Sequence, residues 1–179
     1  MARKTATRKT AENPFARPVP NGVAIEYADL QRRHAAGELT SRDFAPAARR
    51  MAEHLSTEDL ALFGRYFLEQ YRADRDNTAV MNLWLGMSGA HMARERAKVA
   101  DLTDEQLLES WAGLPPYEGE DEFGRHVESA HSDEMESRYS TVCDDHLEVF
   151  AELEGEATAQ LNARYRASLI AAYRVAAGK

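Results

Sequence analysis

The sequence is poor in the residues that build disulfide scaffolds and β-sheets. It has a single cysteine, Cys143, together with two isoleucines and eight valines in 179 residues. One cysteine excludes an internal disulfide framework and is typical of a reducing compartment, so we expect a cytoplasmic protein. Strands favour β-branched and aromatic residues, whereas Ala, Leu, Glu, Arg and Met favour helices. The composition therefore predicts an all-α fold.

The sequence also lacks an apolar run long enough to span a membrane. Between residues 79 and 93 only three side chains are polar, and this block of about fifteen residues is shorter than the ~20 that a bilayer requires. It predicts a buried central helix over residues 78–99, with other helices wrapped around it. Gly86 and Gly89 would each weaken that helix by roughly 0.8–1 kcal/mol relative to alanine, unless another backbone packs closely there.

No proline follows Pro116, and an apolar stripe at helical spacing extends from Phe123 to about Ala177. One helix of this length would measure roughly 80 Å, which is long for a compact domain. We therefore expect either a helical hairpin with a break near Ser140 or Asp144, or an extended helix whose exposed stripe is an oligomer interface. The interface residues would be Leu147, Phe150, Leu161, Tyr165, Leu169 and Tyr173.

Three short stretches have the pattern that begins an α-helix. In each, a Ser or Thr follows a leucine, and an Asp or Gln stands three residues later: Thr40–Asp43, Ser56–Asp59 and Thr103–Gln106. The hydroxyl accepts a hydrogen bond from the backbone N–H three residues on, and the second side chain reciprocates. A first helix over Val23–Ala36 would direct four apolar residues to the core: Ile25, Tyr27, Ala28 and Leu30. The whole predicts one α-helical domain, residues 23–179, of six or seven helices.

Positive charge is concentrated at the N-terminus. The net charge is −8, yet residues 1–20 hold five basic side chains and one glutamate, which leaves +4 there and −12 for the rest. Three prolines and the lack of an apolar face predict a disordered basic arm over residues 1–22, anchored at its end by Phe15 and Val19. The arm would contact nucleic acid or an acidic protein surface through Arg3, Lys4, Arg8, Lys9 and Arg17.

Histidines and carboxylates at helical spacing are the feature most typical of an enzyme. His91 and Glu95 are four residues apart, and Glu128 and His131 have the Glu-x-x-His spacing of carboxylate-bridged metal pairs in helical bundles. If their helices pack together, these four residues and His146 would surround a first-row transition metal. The full two-metal pattern needs a second Glu-x-x-His, and the sequence has only one. Isolated pairs of this kind are also ordinary among core or surface histidines.

The sequence contains no complete catalytic motif. It has no glycine-rich phosphate loop, no Gly-x-Ser-x-Gly elbow and no paired-cysteine zinc pattern. We expect a non-enzymatic interaction or assembly module that binds a protein partner or itself, with the basic arm as a tether and no membrane association. Two alternatives stay open: a metal-dependent helical-bundle enzyme that uses the His and Glu residues, and a nucleic-acid accessory protein that binds through the arm.

Overall fold

A computed structural model describes residues 12–115, 121–139 and 158–178. A 3₁₀ turn at Pro14–Ala16 comes first. Seven α-helices follow within the described ranges: α1 (Asn21–Ala35), α2 (Phe44–Glu53), α3 (Thr57–Ala73), α4 (Thr78–Ala100), α5 (Asp104–Ala112), α6 (Glu122–Arg138) and α7 (Thr158–Ala176). These ranges contain no strand, so the all-α prediction is confirmed. No helix among them is both long and apolar enough to cross a bilayer.

Contacts within the chain define two compact units. Unit 1 is Met1–His91 and unit 2 is Met92–Lys179. The boundary falls inside α4, so the central helix contributes residues to both units. Each unit has its own cluster of buried apolar side chains, and each is described in turn.

The predicted helix starts are confirmed. The Ser56 hydroxyl accepts a hydrogen bond from the backbone N–H of Asp59 at 3.0 Å, and the other two pairs form reciprocal capping boxes, Thr40–Asp43 and Thr103–Gln106. After a short 3₁₀ turn, α2 begins at Phe44. Pro46 therefore lies in the first turn of α2, where a backbone N–H has no intrahelical partner to lose.

The core of unit 1 is apolar and rich in aromatic rings. Helix α3 buries Leu60, Phe63 and Phe67, and these side chains belong to one cluster with apolar residues of α1, α2 and α4: Val23, Leu30, Phe44, Met51, Leu83 and Met87. The predictions for Ile25 and Ala28 are wrong, because Ile25 is 69% exposed and Ala28 is also exposed. At about 100° per residue, Val23 and Leu30 share a face of α1, whereas Ile25 points to the opposite side.

Helix α4 approaches α2 closely at Gly86. A Cβ atom at this position would lie 2.6 Å from the Ala45 carbonyl oxygen and 2.6 Å from the Ala48 Cβ. The missing side chain lets the two helices approach, which offsets the low helix propensity of glycine. A Cβ at Gly89 would have no neighbour within 4 Å. The close backbone contact that the sequence required is present at one of the two glycines.

The C-terminal apolar stripe is interrupted near the predicted break at Ser140. Helix α6 ends at Arg138, and Tyr139 has φ −137° and ψ 59°, so one continuous helix is excluded. Leu169 and Tyr173 are buried in the core of unit 2, with Tyr173 only 1% exposed, and are not available on an outer stripe. The side chains of the other four predicted interface residues lie outside the described part: Leu147, Phe150, Leu161 and Tyr165.

Candidate functional site

Helix α6 directs the predicted pair Glu128 and His131 into unit 2. His131 is 3% exposed, and the Glu128 side chain is 17% exposed. A buried carboxylate or imidazole requires hydrogen-bond partners, because desolvation without them is costly. The partners of these two residues come from α5, α6 and α7.

His131 is held at both ring nitrogens. Its Nδ1 lies 2.8 Å from the Val127 carbonyl oxygen, and its Nε2 lies 3.0 Å from the Ser110 hydroxyl. A carbonyl only accepts, so Nδ1 carries a hydrogen; in the neutral ring, Nε2 then accepts from Ser110. The imidazole thereby links α6 to α5.

Glu128 joins three elements through one carboxylate. Trp111 Nε1 donates to Glu128 Oε1 at 2.7 Å, Arg166 Nε donates to the same oxygen at 2.9 Å, and Arg166 Nη2 lies 2.6 Å from Oε2. The guanidinium also donates to the carbonyl oxygens of Leu114, at 2.5 Å, and Pro115, at 3.4 Å. Arg166 is only 6% exposed. This buried ion pair therefore connects α7 with α6 and with the end of α5.

A second arginine fastens the α4–α5 junction. Arg138 donates to the carbonyl oxygens of Leu102 at 2.8 Å and Ala100 at 3.2 Å, and to Asp104 Oδ1 at 2.9 Å. Tyr139 donates its hydroxyl to the other oxygen of Asp104. The bonds to Asp104 raise the pKa of both the Arg138 guanidinium and the Tyr139 phenol. The arginine thus occupies the carbonyl of the last residue of α4 and one carbonyl of the turn that leads to α5.

The described residues do not assemble the predicted metal site. Among them, no group of three or more His, Cys, Asp or Glu side chains is arranged to hold a metal ion. His91 and Glu95 are both buried on α4, and Lys98 Nζ lies 2.6 Å from the Glu95 carboxylate. His146 lies outside the described residues, so the full five-residue set stays a prediction.

Unit 1 contains a second candidate site, an aromatic socket that holds Phe15. We define the aromatic socket as Tyr27 of α1 with Phe63, Tyr66 and Phe67 of α3. The Phe15 ring stacks on Tyr27 at a centroid distance of 4.7 Å and meets Phe63 edge-on at 5.1 Å. Tyr66 and Phe67 complete the socket at 6.1 and 6.3 Å. Burial, and then the neighbouring Tyr66, raise the pKa of the Tyr27 phenol.

Residues 12–19, which we call the strap, carry Phe15 into this socket. The Asn13 side chain accepts from the Phe15 backbone N–H at 3.0 Å, and Arg17 pairs with Glu12 at 2.8 Å. Val19 also packs on the core of unit 1, so the predicted anchoring by these two apolar residues is confirmed. Arg17, one of the five predicted tether residues, is engaged inside the strap. The other four lie outside the described residues: Arg3, Lys4, Arg8 and Lys9.

A surface pocket of about 190 Å³ lies beside α1 and α2 in unit 1. Its lining is a mixture of charged and apolar side chains: Glu26, Asp29, Leu30, Arg33, Leu39, Asp43, Pro46 and Arg50. Arg50 Nε donates to Glu26 at 2.9 Å, and Arg33 lies 3.7 Å from Asp29. The charged groups of the pocket therefore pair largely with one another.

Sequence reasoning missed Ser110, Trp111 and Arg166 as partners of the α6 pair. A pattern that could have revealed Arg166 is its spacing, because it precedes Leu169, Ile170 and Tyr173 by three, four and seven residues. A charged residue on the apolar face of a helix requires a buried counter-ion or a break in the pattern. The choice of Glu128 as that counter-ion depends on tertiary packing.

Comparisons with known proteins do not assign this chain to a family. No family model matches it, and the searches of curated proteins and of solved structures gave no match. A function can therefore be argued only from the side chains and contacts described above.

Proposed function

We propose that this chain is a non-enzymatic protein-assembly module whose basic N-terminal residues act as a tether for an acidic protein surface. The observation that carries the proposal is the seating of Phe15 in the aromatic socket. This contact fixes the chain to unit 1 just after its most basic segment. The tether begins at a defined point, instead of trailing from a helix end.

The distribution of charge supports a tether. Four basic side chains precede the strap, and residues 21–179 carry a net charge of −12. Arg3 stands twelve residues before Phe15, so at ~3.4 Å per residue the tether spans at most about 40 Å. Attraction between opposite charges increases the rate of encounter with an acidic partner. This attraction weakens as the salt concentration rises.

The buried polar groups of unit 2 favour a structural role over a catalytic one. Glu128 bonds with an arginine and a tryptophan, and both nitrogens of His131 face protein oxygens. A catalytic acid, base or metal ligand has to offer an atom to a substrate or ion. Here Glu128 Oε1 and both nitrogens of His131 join helices, and the buried Glu128 Oε2, which accepts no hydrogen bond, lies 2.6 Å from Arg166 Nη2.

Native mass spectrometry of the untagged full chain, purified without chelators, tests the proposal, because it reports chain number and bound metal together. We expect a complex of two or more chains without metal, which dissociates when salt is raised from about 0.05 to about 0.5 M. Replacement of the four basic residues by glutamine should have the same effect: Arg3, Lys4, Arg8 and Lys9. A monomer that carries stoichiometric metal would overturn the proposal, as would a metal-free monomer that binds no acidic protein.

A further inference from the structure

We propose that the aromatic socket also accepts the strap of a second copy of this chain, so that two copies assemble by exchanging residues 12–19. This inference rests on the assembly function proposed above and names the partner. It concerns Phe15 and its socket, whereas the tether concerns the basic residues before them. The two can therefore fail separately.

The strap is built like a separate peptide ligand. Its described polar contacts are internal: Asn13 accepts from the Phe15 N–H, and Glu12 pairs with Arg17. Its contacts with the rest of unit 1 are apolar and aromatic, through buried Pro14, through Phe15 and through Val19. A strap from another copy brings the same cap, ion pair and anchor. It can thus make the same contacts, which is the condition for exchange of an identical element between protomers.

The last residues of the strap and its connection to α1, which is Pro20, are extended. Arg17 has φ −121° and ψ 166°, and Pro20 has φ −50° and ψ 135°. Two prolines, Pro18 and Pro20, restrict this segment to extended conformations. Extended backbone can lead the strap either to the socket of its own chain or to the socket of a second copy. The two forms then differ in the direction of the connection and share the contacts at the socket.

In a single chain, the strap competes with incoming straps through its high effective concentration. A short connection produces effective concentrations in the millimolar range, and a connection that cannot span the distance reduces them to near zero. Exchange should therefore be weak in the native chain and strong when a chain cannot reach its own socket. This dependence on length gives the proposal a direct test.

The experiment removes Pro20 and Asn21 from the full chain, which shortens the connection by ~7 Å and leaves the strap intact. We expect the shortened chain to dimerise at least about tenfold more tightly than the native chain in sedimentation velocity. The matched control is the same deletion with Phe15→Ala, which removes the anchor and should abolish the gain in dimerisation that the deletion produces. Helix content by circular dichroism should be the same in both deletion variants.

The proposal is overturned if the shortened chain dimerises no better than its Phe15→Ala counterpart. An independent measurement uses the full-length chain at high concentration, where Phe15→Ala alone should weaken dimerisation at least about fivefold, since the anchor ring is lost. The comparison of these two full-length chains tests strap exchange even if the shortened chain does not fold. Association that depends on salt and on the basic residues, but is indifferent to Phe15, would leave the tether in place and refute strap exchange.

Discussion

Unit 1 and unit 2 bury different kinds of side chain. The core of unit 1 consists of valine, leucine, methionine, alanine and phenylalanine side chains, with Phe15 of the strap packed against it. The core of unit 2 surrounds an ion pair, Glu128 with Arg166, and the hydrogen-bonded His131. One unit is held mainly by apolar contact, and the other also depends on oriented polar bonds.

This difference determines what each unit tolerates. Apolar burial has little directional preference, so a core such as that of unit 1 is sensitive mainly to volume and clash. A buried ion pair is stable only in the arrangement that satisfies both partners, and removal of one partner leaves a charge without compensation. We therefore expect Arg166 and Glu128 to favour one packing of α5, α6 and α7, even where an apolar pair of the same size would be equally stable.

The largest effect is expected from Arg166→Ala, which removes the ion pair that distinguishes unit 2 from unit 1. It leaves the Glu128 carboxylate buried without its cation and should lower the free energy of unfolding by about 3–5 kcal/mol. Chemical denaturation followed by circular dichroism measures this loss. The double variant Arg166→Met with Glu128→Leu should recover most of it, because both buried charges are then absent.

Unit 1 provides the matched control for this prediction. Arg50 pairs with Glu26 on the surface, and its side chain is 57% exposed. Arg50→Ala should therefore change the free energy of unfolding by less than about 1 kcal/mol. Equal losses from Arg50→Ala and Arg166→Ala would contradict the distinction between the two units.

The next effect compares two glycines of α4 in unit 1. Gly86→Ala places a Cβ against the Ala45 carbonyl oxygen and the Ala48 side chain, and should lower the free energy of unfolding by about 1–3 kcal/mol. Gly89→Ala meets no neighbour within 4 Å and should raise it by up to about 1 kcal/mol, because alanine has the higher helix propensity. Thermal unfolding of both variants measures the difference. Two changes of the same sign would refute the close approach at Gly86.

The smallest effect tests a directional bond on the surface of unit 1. Hydrogen bonds from the backbone N–H and then the hydroxyl of Thr40 hold the pKa of Asp43 below its ordinary value of 3.8. The folded state therefore binds fewer protons than the unfolded state in this range. The resulting stabilisation is complete above pH 3.8 and disappears as pH falls through the lowered pKa.

Asp43→Ala should accordingly be less stable than the native chain at pH 7, and the difference should be smaller at about pH 2. Urea midpoints at several pH values measure this convergence. Thr103→Ala is a useful comparison, because its capping partner is the neutral Gln106. Its loss of about 1 kcal/mol should be the same at both pH values. A loss at Asp43 that does not change with pH would exclude the ionised cap.

Much of the local structure was predictable from the sequence. The caps at Thr40, Ser56 and Thr103 depend on residues three positions apart, and a short segment contains all the atoms involved. The central helix was predictable from the apolar run over residues 79–93, although Leu85 within it is 44% exposed. Even Gly86 carried a conditional prediction, since glycine in a helix interior indicates close packing or instability.

The pairing of helical faces was decided by tertiary structure. Glu128 and Arg166 are 38 residues apart, and the sequence around either residue does not predict that the two side chains form an ion pair. The same holds for Tyr173. Its spacing alone is compatible with an exposed stripe, and only the packing of Trp111 of α5 against its ring shows that it is a core residue. Capping and periodicity are fixed within one or two helical turns, whereas burial and ion pairing depend on which faces pack against each other. The sequence alone determined the helices and their starts, and packing determined the partners of their polar side chains.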